Sequence, residues 1–165
     1  MIDAIGAGAW GYVAVVLAAA TPWLELLVVI PAGITAGLPA VPVGLLAFVG
    51  NAAPVLGIIG AWGWWTRRRA ARRPDQPATA DAGVPGDHEH RPKRQARAER
   101  VFARYGLPGL ALIGPLVTGV HLATVIALGL RAPRTATAVW MTASLALWSA
   151  VVTAAAAAGL DLIVR

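Results

Sequence analysis

Apolar residues fill two long blocks of the chain, and charged residues gather between them. Residues 4–65 contain a single charged side chain, Glu25, and residues 105–165 contain only four. Apolar stretches of this length exceed what a soluble domain needs for a core and are typical of helices that cross a membrane. The pattern therefore predicts an all-α, polytopic integral membrane protein.

Prolines and glycines break each block, so neither is a plain series of spans. The predicted hairpin breaks are Pro22, Pro31, Pro115 and Gly119. A helix needs about 20 residues to cross the hydrocarbon core. Segments 24–38 and 116–130 have fifteen residues each and are short for a span, whereas 42–65 and 134–160 are long enough. Each block is thus predicted to hold broken pieces followed by one complete transmembrane helix.

The two blocks also resemble each other weakly. Residues 25–42 and 117–134 fall into register at an offset of 92, and in both a Gly-Leu pair precedes a proline-containing corner. Arg131 and Arg134 charge the second corner, whereas the first carries no charge. Because cations favour the cytoplasmic side, two re-entrant hairpins of opposite orientation place every arginine except Arg165 there. We predict two inverted-topology halves, each a re-entrant hairpin plus a transmembrane helix; four or five ordinary spans are the alternative.

The segment between the blocks, residues 66–104, carries the net charge. It holds eleven basic and five acidic residues and accounts for the whole net charge of +6. A soluble nucleic-acid binder would also be basic. Here the charge is confined to one loop between apolar blocks, which favours a cytoplasmic loop and no nucleic acid. The chain is therefore divided into a first membrane half (1–65), this loop, and a second membrane half (105–165), in the inner (cytoplasmic) membrane of the cell.

Two parts of the loop differ in composition. Residues 74–92 are rich in proline, glycine and aspartate, which predicts a disordered linker. Residues 93–105 place apolar side chains at helical spacing among arginines. This pattern predicts an amphipathic helix on the inner membrane surface, in contact with anionic lipid headgroups. Trp62, Trp64 and Trp65 precede the basic residues and predict an interfacial aromatic belt.

Several classes of function lack a signature in the sequence. The chain has no cysteine, and it contains no nucleophile elbow, zinc-binding helix motif or glycine-rich nucleotide loop. We therefore expect no enzymatic activity, no metal and no cofactor. The first residues lack the positive charge of a signal peptide, so the first apolar segment is expected to be retained. Glycines at small spacing predict close helix packing and a homodimer.

Three segments carry a resemblance to a known family: WLELLVVIPAGITAGLP, GNAAPV and RYGLPGLALIGPLVTGVHLATVIALGL. They resemble the small multidrug export proteins, a family similar to the DedA-like membrane proteins, which have paired re-entrant hairpins and are implicated in lipid scrambling. The residues that match the family's two motifs are Glu25, Leu26, Ile30, Pro31, Pro115, Leu116, Thr118 and Gly119. Leu27 and Val28 stand where the family usually has Arg and Gly. The resemblance implies a transport-type membrane protein.

Glu25 lies deep in apolar sequence, where a carboxylate is costly and its presence indicates a functional site. We expect Glu25 to be protonated in the empty site and to release its proton when a cation binds, with His121 as a proton relay. Trp23 can stack on an organic cation, and Thr118 and Asn51 complete the predicted substrate site. The alternative for all five residues is a structural role in helix packing and hydrogen bonding.

Three functions are compatible with this pattern. The leading prediction is a transporter that moves a hydrophobic cation or a lipid-like amphiphile, coupled to protons through Glu25. The first alternative is a flippase or scramblase of an anionic lipid or lipid-carrier phosphate, in which helix amino termini and His121 matter more than Glu25. The second alternative is a non-transporting membrane scaffold that recruits partners through its amphipathic helix.

Overall fold

The computed structural model of the protein describes residues 2–21, 26–72 and 93–164. These residues form α-helices and no strand. The helices are α1 (Ile2–Ala20), α2 (Leu26–Thr35), α3 (Ala40–Arg72), α4 (Lys93–Val117), α5 (Val120–Gly129) and α6 (Arg134–Val164). The prediction of an all-α protein is confirmed for this part of the chain. The predicted linker, residues 74–92, lies outside the described residues.

Helix lengths follow the apolar segments of the sequence. Within the described chain, α3 and α6 each hold a stretch long and apolar enough to cross a membrane. By contrast, α2 and α5 have ten residues each, about 15 Å of helix, which is roughly half the thickness of a hydrocarbon core. On α3, Val41, Leu45 and Val49 are exposed at successive turns. They form an apolar stripe suited to lipid contact.

The chain divides into two compact units. The first comprises Met1–Pro54 together with Thr142–Arg165, and the second comprises Val55–Met141. Each unit therefore contains part of α3 and part of α6, and each draws on both apolar blocks of the sequence.

In the first unit, α1 and α2 form an antiparallel hairpin held together by small residues. Gly33 of α2 faces Val15 of α1, where an added Cβ would come within 3.3 Å of the valine side chain. Gly11, further from the turn on α1, faces Leu38 beyond the end of α2. An earlier residue of α1 thus meets a later residue beyond α2, so the two helices run in opposite directions.

Helix α3 approaches both α1 and α6 closely in this unit. A Cβ at Gly50 would lie 2.7 Å from the carbonyl oxygen of Val16 on α1. Gly44 faces Thr153 of α6, and Ser149 Oγ donates a hydrogen bond of 2.7 Å to the Gly44 carbonyl oxygen. Glycines on α3 thus allow helices to approach to backbone contact, as is common in membrane proteins.

In the second unit, α4 bends at Gly106, where the backbone is not helical (φ 66°, ψ −162°). The bend separates residues 93–105 from an apolar part, residues 107–117. In the first part Ala98 is buried while Arg97 is exposed. The predicted helix over 93–105 is therefore confirmed, and its contact with a membrane surface stays a prediction.

Helix α5 returns alongside the apolar part of α4 in a second hairpin. A Cβ at Gly114 of α4 would lie 2.8 Å from Ala123 Cβ of α5. The break between the helices is at Gly119, whose φ of 86° and ψ of 147° are accessible to glycine and scarcely to other residues. Gly119, one of the predicted breaks, lies between α4 and α5, whereas Pro115 lies inside α4 and does not itself end the helix.

Pro31 does not interrupt its helix. Helix α2 runs from Leu26 to Thr35 with Pro31 inside it, so the predicted break at this residue is wrong. A proline removes one backbone hydrogen bond, but unwinding a short helix in apolar surroundings would expose several backbone groups, each at a cost of several kcal/mol. Pro22, the other predicted break of the first hairpin, lies outside the described residues, and α1 ends just before it at Ala20.

Both short helices end in the same backbone corner. The corner hydrogen bonds run from Leu38 N to Gly33 O and from Gly37 N to Ile34 O after α2, and from Ala132 N to Ala127 O and from Arg131 N to Leu128 O after α5. This is the Schellman arrangement, in which one residue is left-handed. That residue is Gly37 (φ 88°) in the first corner and Arg131 (φ 63°) in the second, and Pro39 and Pro133 occupy matching positions two residues later.

Equivalent atoms of the two corners are 94 positions apart, since 37 pairs with 131 and 39 with 133. The offset of 92 predicted from the sequence is therefore wrong by two residues. The sequence comparison paired Gly37-Leu38 with Gly129-Leu130 because the residue types are identical. The backbone conformation instead pairs Gly37 with Arg131, which are both left-handed.

Separate substitutions at these two left-handed residues are expected to change the free energy of unfolding in opposite directions. Gly37→Ala places a Cβ in a left-handed position and should lower the free energy of unfolding by about 1 kcal/mol. Arg131→Gly relieves the same strain and should leave the free energy of unfolding unchanged or raise it by up to about 1 kcal/mol. Thermal unfolding in detergent measures both variants. If Gly37→Ala melted at the wild-type temperature, the left-handed assignment would be contradicted.

Candidate functional site

The structure describes three of the five residues predicted to form the substrate site. Thr118 and His121 belong to the second unit, and Asn51 belongs to the first. Glu25 and Trp23 lie outside the described residues, so their part in a site stays a prediction.

Thr118 and His121 lie on either side of the break in the second hairpin. Thr118 Oγ1 donates to the carbonyl oxygens of Gly114 and Gly119, each at 3.4 Å, and so braces the turn. His121 is the second residue of α5 and is only 7% exposed. The structure thus holds both side chains inside the unit, next to the residue where the helix breaks.

Thr124 is a third buried polar residue of this hairpin and was not among the site residues predicted from the sequence. It follows His121 by three positions, so the two side chains are neighbours on one face of α5. Thr124 is completely buried, and its Oγ1 donates to the Val120 carbonyl oxygen at 2.8 Å. The hydroxyl oxygen can still accept a hydrogen bond. The spacing from His121 was the signal that could have found it.

Asn51 is completely buried in the first unit. Its Nδ2 donates to the Ala47 carbonyl oxygen one turn earlier, at 3.1 Å. Its Oδ1 has no hydrogen-bond partner among the residues that the structure describes. An unsatisfied buried acceptor costs about 1–3 kcal/mol, and such atoms call for an explanation in terms of a water, an ion or a function. Asn51 can offer this oxygen to a hydrogen-bond donor or to a cation.

Tryptophan and arginine side chains interleave at the end of α3. The guanidinium carbon of Arg68 lies 4.0 Å from the ring centre of Trp64, and that of Arg69 lies 3.8 Å from the ring centre of Trp65. Both rings are exposed. Amphipathic rings next to cations are typical of a membrane–water boundary, which is where the sequence predicted an aromatic belt.

Comparison with known proteins identifies one family. A sequence model of the family described as "Putative small multi-drug export protein" matches residues 25–151, more than three quarters of the chain. No curated protein and no solved structure matches significantly. Ala40–Arg69 and Arg134–Gly159, the apolar helical stretches of membrane-crossing length in the described part of the chain, agree with a location in a membrane. The chain belongs to this family of small multi-drug export proteins.

Proposed function

We propose that the protein transports a hydrophobic cation or a lipid-like amphiphile across the inner membrane of the cell. The observation that carries the proposal is Asn51, whose buried Oδ1 lacks a partner within the described part of a unit built from apolar helices. Keeping an unsatisfied polar atom there costs stability unless a ligand uses it. The family's description, which includes multi-drug export, supports the same class of function.

The proposed path follows two re-entrant hairpins of inverted topology. Support for the repeat comes from the common corner after α2 and α5 and from the equal length of these helices. Support for the inversion comes from charge, because Arg131 and Arg134 lie at the second corner and no charge lies at the first. The positive-inside rule then places the second corner and the basic loop in the cytoplasm.

Glu25 is the proposed proton-coupled group. It directly precedes α2, and the family match begins at this residue. A carboxyl group in apolar surroundings favours its neutral form, and a bound cation favours the ionised form. Binding a cation would therefore release a proton.

Asn51→Leu is expected to reduce uptake of a quaternary ammonium dye without loss of stability. Leucine removes the unsatisfied oxygen and occupies similar space, so the free energy of unfolding should stay unchanged or rise. Losing one contact to a charged ligand should reduce uptake about tenfold. Dye uptake is measured in proteoliposomes with a pH gradient, and stability by thermal unfolding. In the same assay, Glu25→Gln should abolish the response to the gradient.

Thr137→Val is the matched control for Asn51→Leu. Thr137 is also completely buried, but its Oγ1 already donates to the Pro133 carbonyl oxygen at 3.0 Å. Removing the Thr137 hydroxyl should lower the free energy of unfolding slightly and leave dye uptake unchanged. Equal loss of uptake in both variants would reject the proposal for Asn51.

Two further outcomes would favour the alternative functions. Movement of a labelled phospholipid that is indifferent to Glu25 and Asn51 would indicate a flippase. If neither the dye nor the phospholipid moved, and partner proteins were retained through residues 93–105, the result would indicate a scaffold.

A further inference from the structure

The second corner borders a cleft that the proposed transport site does not use. The cleft is an open one with a volume of about 330 Å³. Its walls are formed by Trp62 and Thr66 of α3, by Leu128 at the end of α5, and by the corner residues 131–134. All of these residues belong to the second unit.

Two guanidinium groups border this cleft without a neutralising partner in the described part of the chain. Arg131 and Arg134 are exposed, and neither side chain has an ion pair or hydrogen bond among the described residues. The one acidic residue described in this unit, Glu99, accepts a hydrogen bond of 3.2 Å from Gln95 Nε2. Among the described residues, the cleft is therefore a concave surface with two positive charges that no acidic side chain neutralises.

The backbone conformation of Arg131 indicates that its position matters beyond its charge. Arg131 is the one described non-glycine residue with a positive φ, and the same corner of the first unit uses Gly37 there. A cytoplasmic charge alone could be carried by the neighbouring Leu130 or Ala132 position without left-handed strain. Arg131 lines the cleft, as Ala132 does, and Leu130 does not.

Arg134 lies close to α3. Its guanidinium lies against Gly63 of α3, and a Cβ at Gly63 would overlap Arg134 Nη1. Arg134 is the first residue of α6, so the first amide groups of a long helix, with their partial positive charge, lie at the same end of the cleft. Trp62 adds an amphipathic wall. Planar, forked donors of this kind match the oxygens of a phosphate group.

We propose that this cleft binds a phosphate group, supplied either by an anionic lipid headgroup or by a soluble phosphate ester. Arg131 and Arg134 hold its oxygens, and Trp62 contacts the glycerol or acyl part of the ligand. The proposal does not depend on the transport site, because it concerns other residues and a binding step alone.

Retention of phosphatidylglycerol by the purified full-length protein tests the proposal by native mass spectrometry. Diacylglycerol with the same acyl chains serves as the probe without phosphate. Wild type should retain phosphatidylglycerol in preference to diacylglycerol, and Arg131→Gly and Arg134→Gln should each weaken retention about tenfold. Arg131→Gly suits the left-handed backbone, so its melting temperature shows whether the fold is intact. Arg72→Gln removes an exposed charge from the end of α3 and should leave retention unchanged.

Competition with glycerol 3-phosphate and inorganic phosphate distinguishes the two sources. Displacement of the lipid by these ions assigns the site to soluble phosphate esters, and failure to displace it assigns the site to lipid headgroups. Gly63→Ala moves the Arg134 guanidinium without changing net charge and should weaken retention several-fold. Equal retention of both lipids, an Arg72→Gln loss as large as that of the cleft variants, or no effect of Gly63→Ala would overturn the proposal.

Discussion

Gly50→Val is expected to separate α1 from α3 and to destabilise the first unit. A Cβ at Gly50 would lie 2.7 Å from the carbonyl oxygen of Val16 and 2.9 Å from Ala19 Cβ. The backbone oxygen cannot rotate away as a flexible side chain can, so the helices must move apart. Overpacking a close-packed interior costs about 1–3 kcal/mol, and for a backbone clash we expect the upper end, about 3 kcal/mol. Thermal unfolding in detergent and the yield of monodisperse protein measure the loss.

Gly57→Val is the matched control on the same helix. Gly57 is exposed, and a Cβ there would meet no atom within 4 Å. Because valine has a higher helix propensity than glycine, this change should leave the free energy of unfolding unchanged or raise it by about 0.5 kcal/mol. Equal melting temperatures for the two variants would contradict the close approach of α1 and α3.

The Gly50 variant also separates packing from function at the neighbouring residue. Asn51 follows Gly50 and is buried in the same unit. Parting the helices should admit water to Asn51, so Gly50→Val should lose stability and dye uptake together. Asn51→Leu should lose uptake alone. This contrast assigns a loss of transport to the Asn51 oxygen rather than to a general loosening of the unit.

Helix lengths and the sharpest break could be predicted from the sequence because they depend on local properties. Apolar length distinguishes the long helices α3 and α6 from the ten-residue helices α2 and α5. Gly119 follows Thr118 at the end of an apolar segment, where only glycine accepts the backbone angles of the turn. The helix over residues 93–105 followed from its spacing of apolar side chains.

The register of the repeat and the effect of Pro31 could not be predicted, because residue types do not fix backbone angles. A left-handed corner favours glycine, yet Arg131 occupies that position in the second corner. A comparison of residue types therefore paired Gly37 with Gly129 instead. Pro31 signals a break in an isolated helix. In the structure, α2 continues past Pro31, held by its remaining backbone hydrogen bonds.

The candidate site was only partly accessible to sequence reasoning, since its parts come together by folding. Buried polar residues in apolar sequence, such as Asn51 and His121, are visible as exceptions to the pattern. The phosphate cleft was not visible, because its walls come from the end of α3 and from a corner more than sixty residues later. In the sequence, Arg131 and Arg134 indicate only a membrane orientation, because they lie about seventy residues from Trp62.

Gly119→Ala is expected to disrupt the second hairpin. Gly119 holds the turn by accepting a hydrogen bond of 3.0 Å from Ala123 N and donating one of 2.9 Å to the Gly114 carbonyl oxygen. A Cβ at φ 86° and ψ 147° costs about 2–3 kcal/mol, and a shift to negative φ would turn α5 away from α4 and end the contact between Gly114 and Ala123. We expect a lower melting temperature and faster amide hydrogen exchange over residues 120–129.

Asparagine substitutions distinguish the hairpin turn from the left-handed corner. Asparagine tolerates the left-handed helical region, which is the conformation of Gly37 and of Arg131 in the Schellman corners. Gly37→Asn should therefore cost less than about 1 kcal/mol. The ψ of Gly119 lies outside that region, so Gly119→Asn should be as harmful as Gly119→Ala. If asparagine were tolerated equally at both positions, the turn at Gly119 would have to be an ordinary left-handed cap, and the close pairing of α4 with α5 would need another explanation.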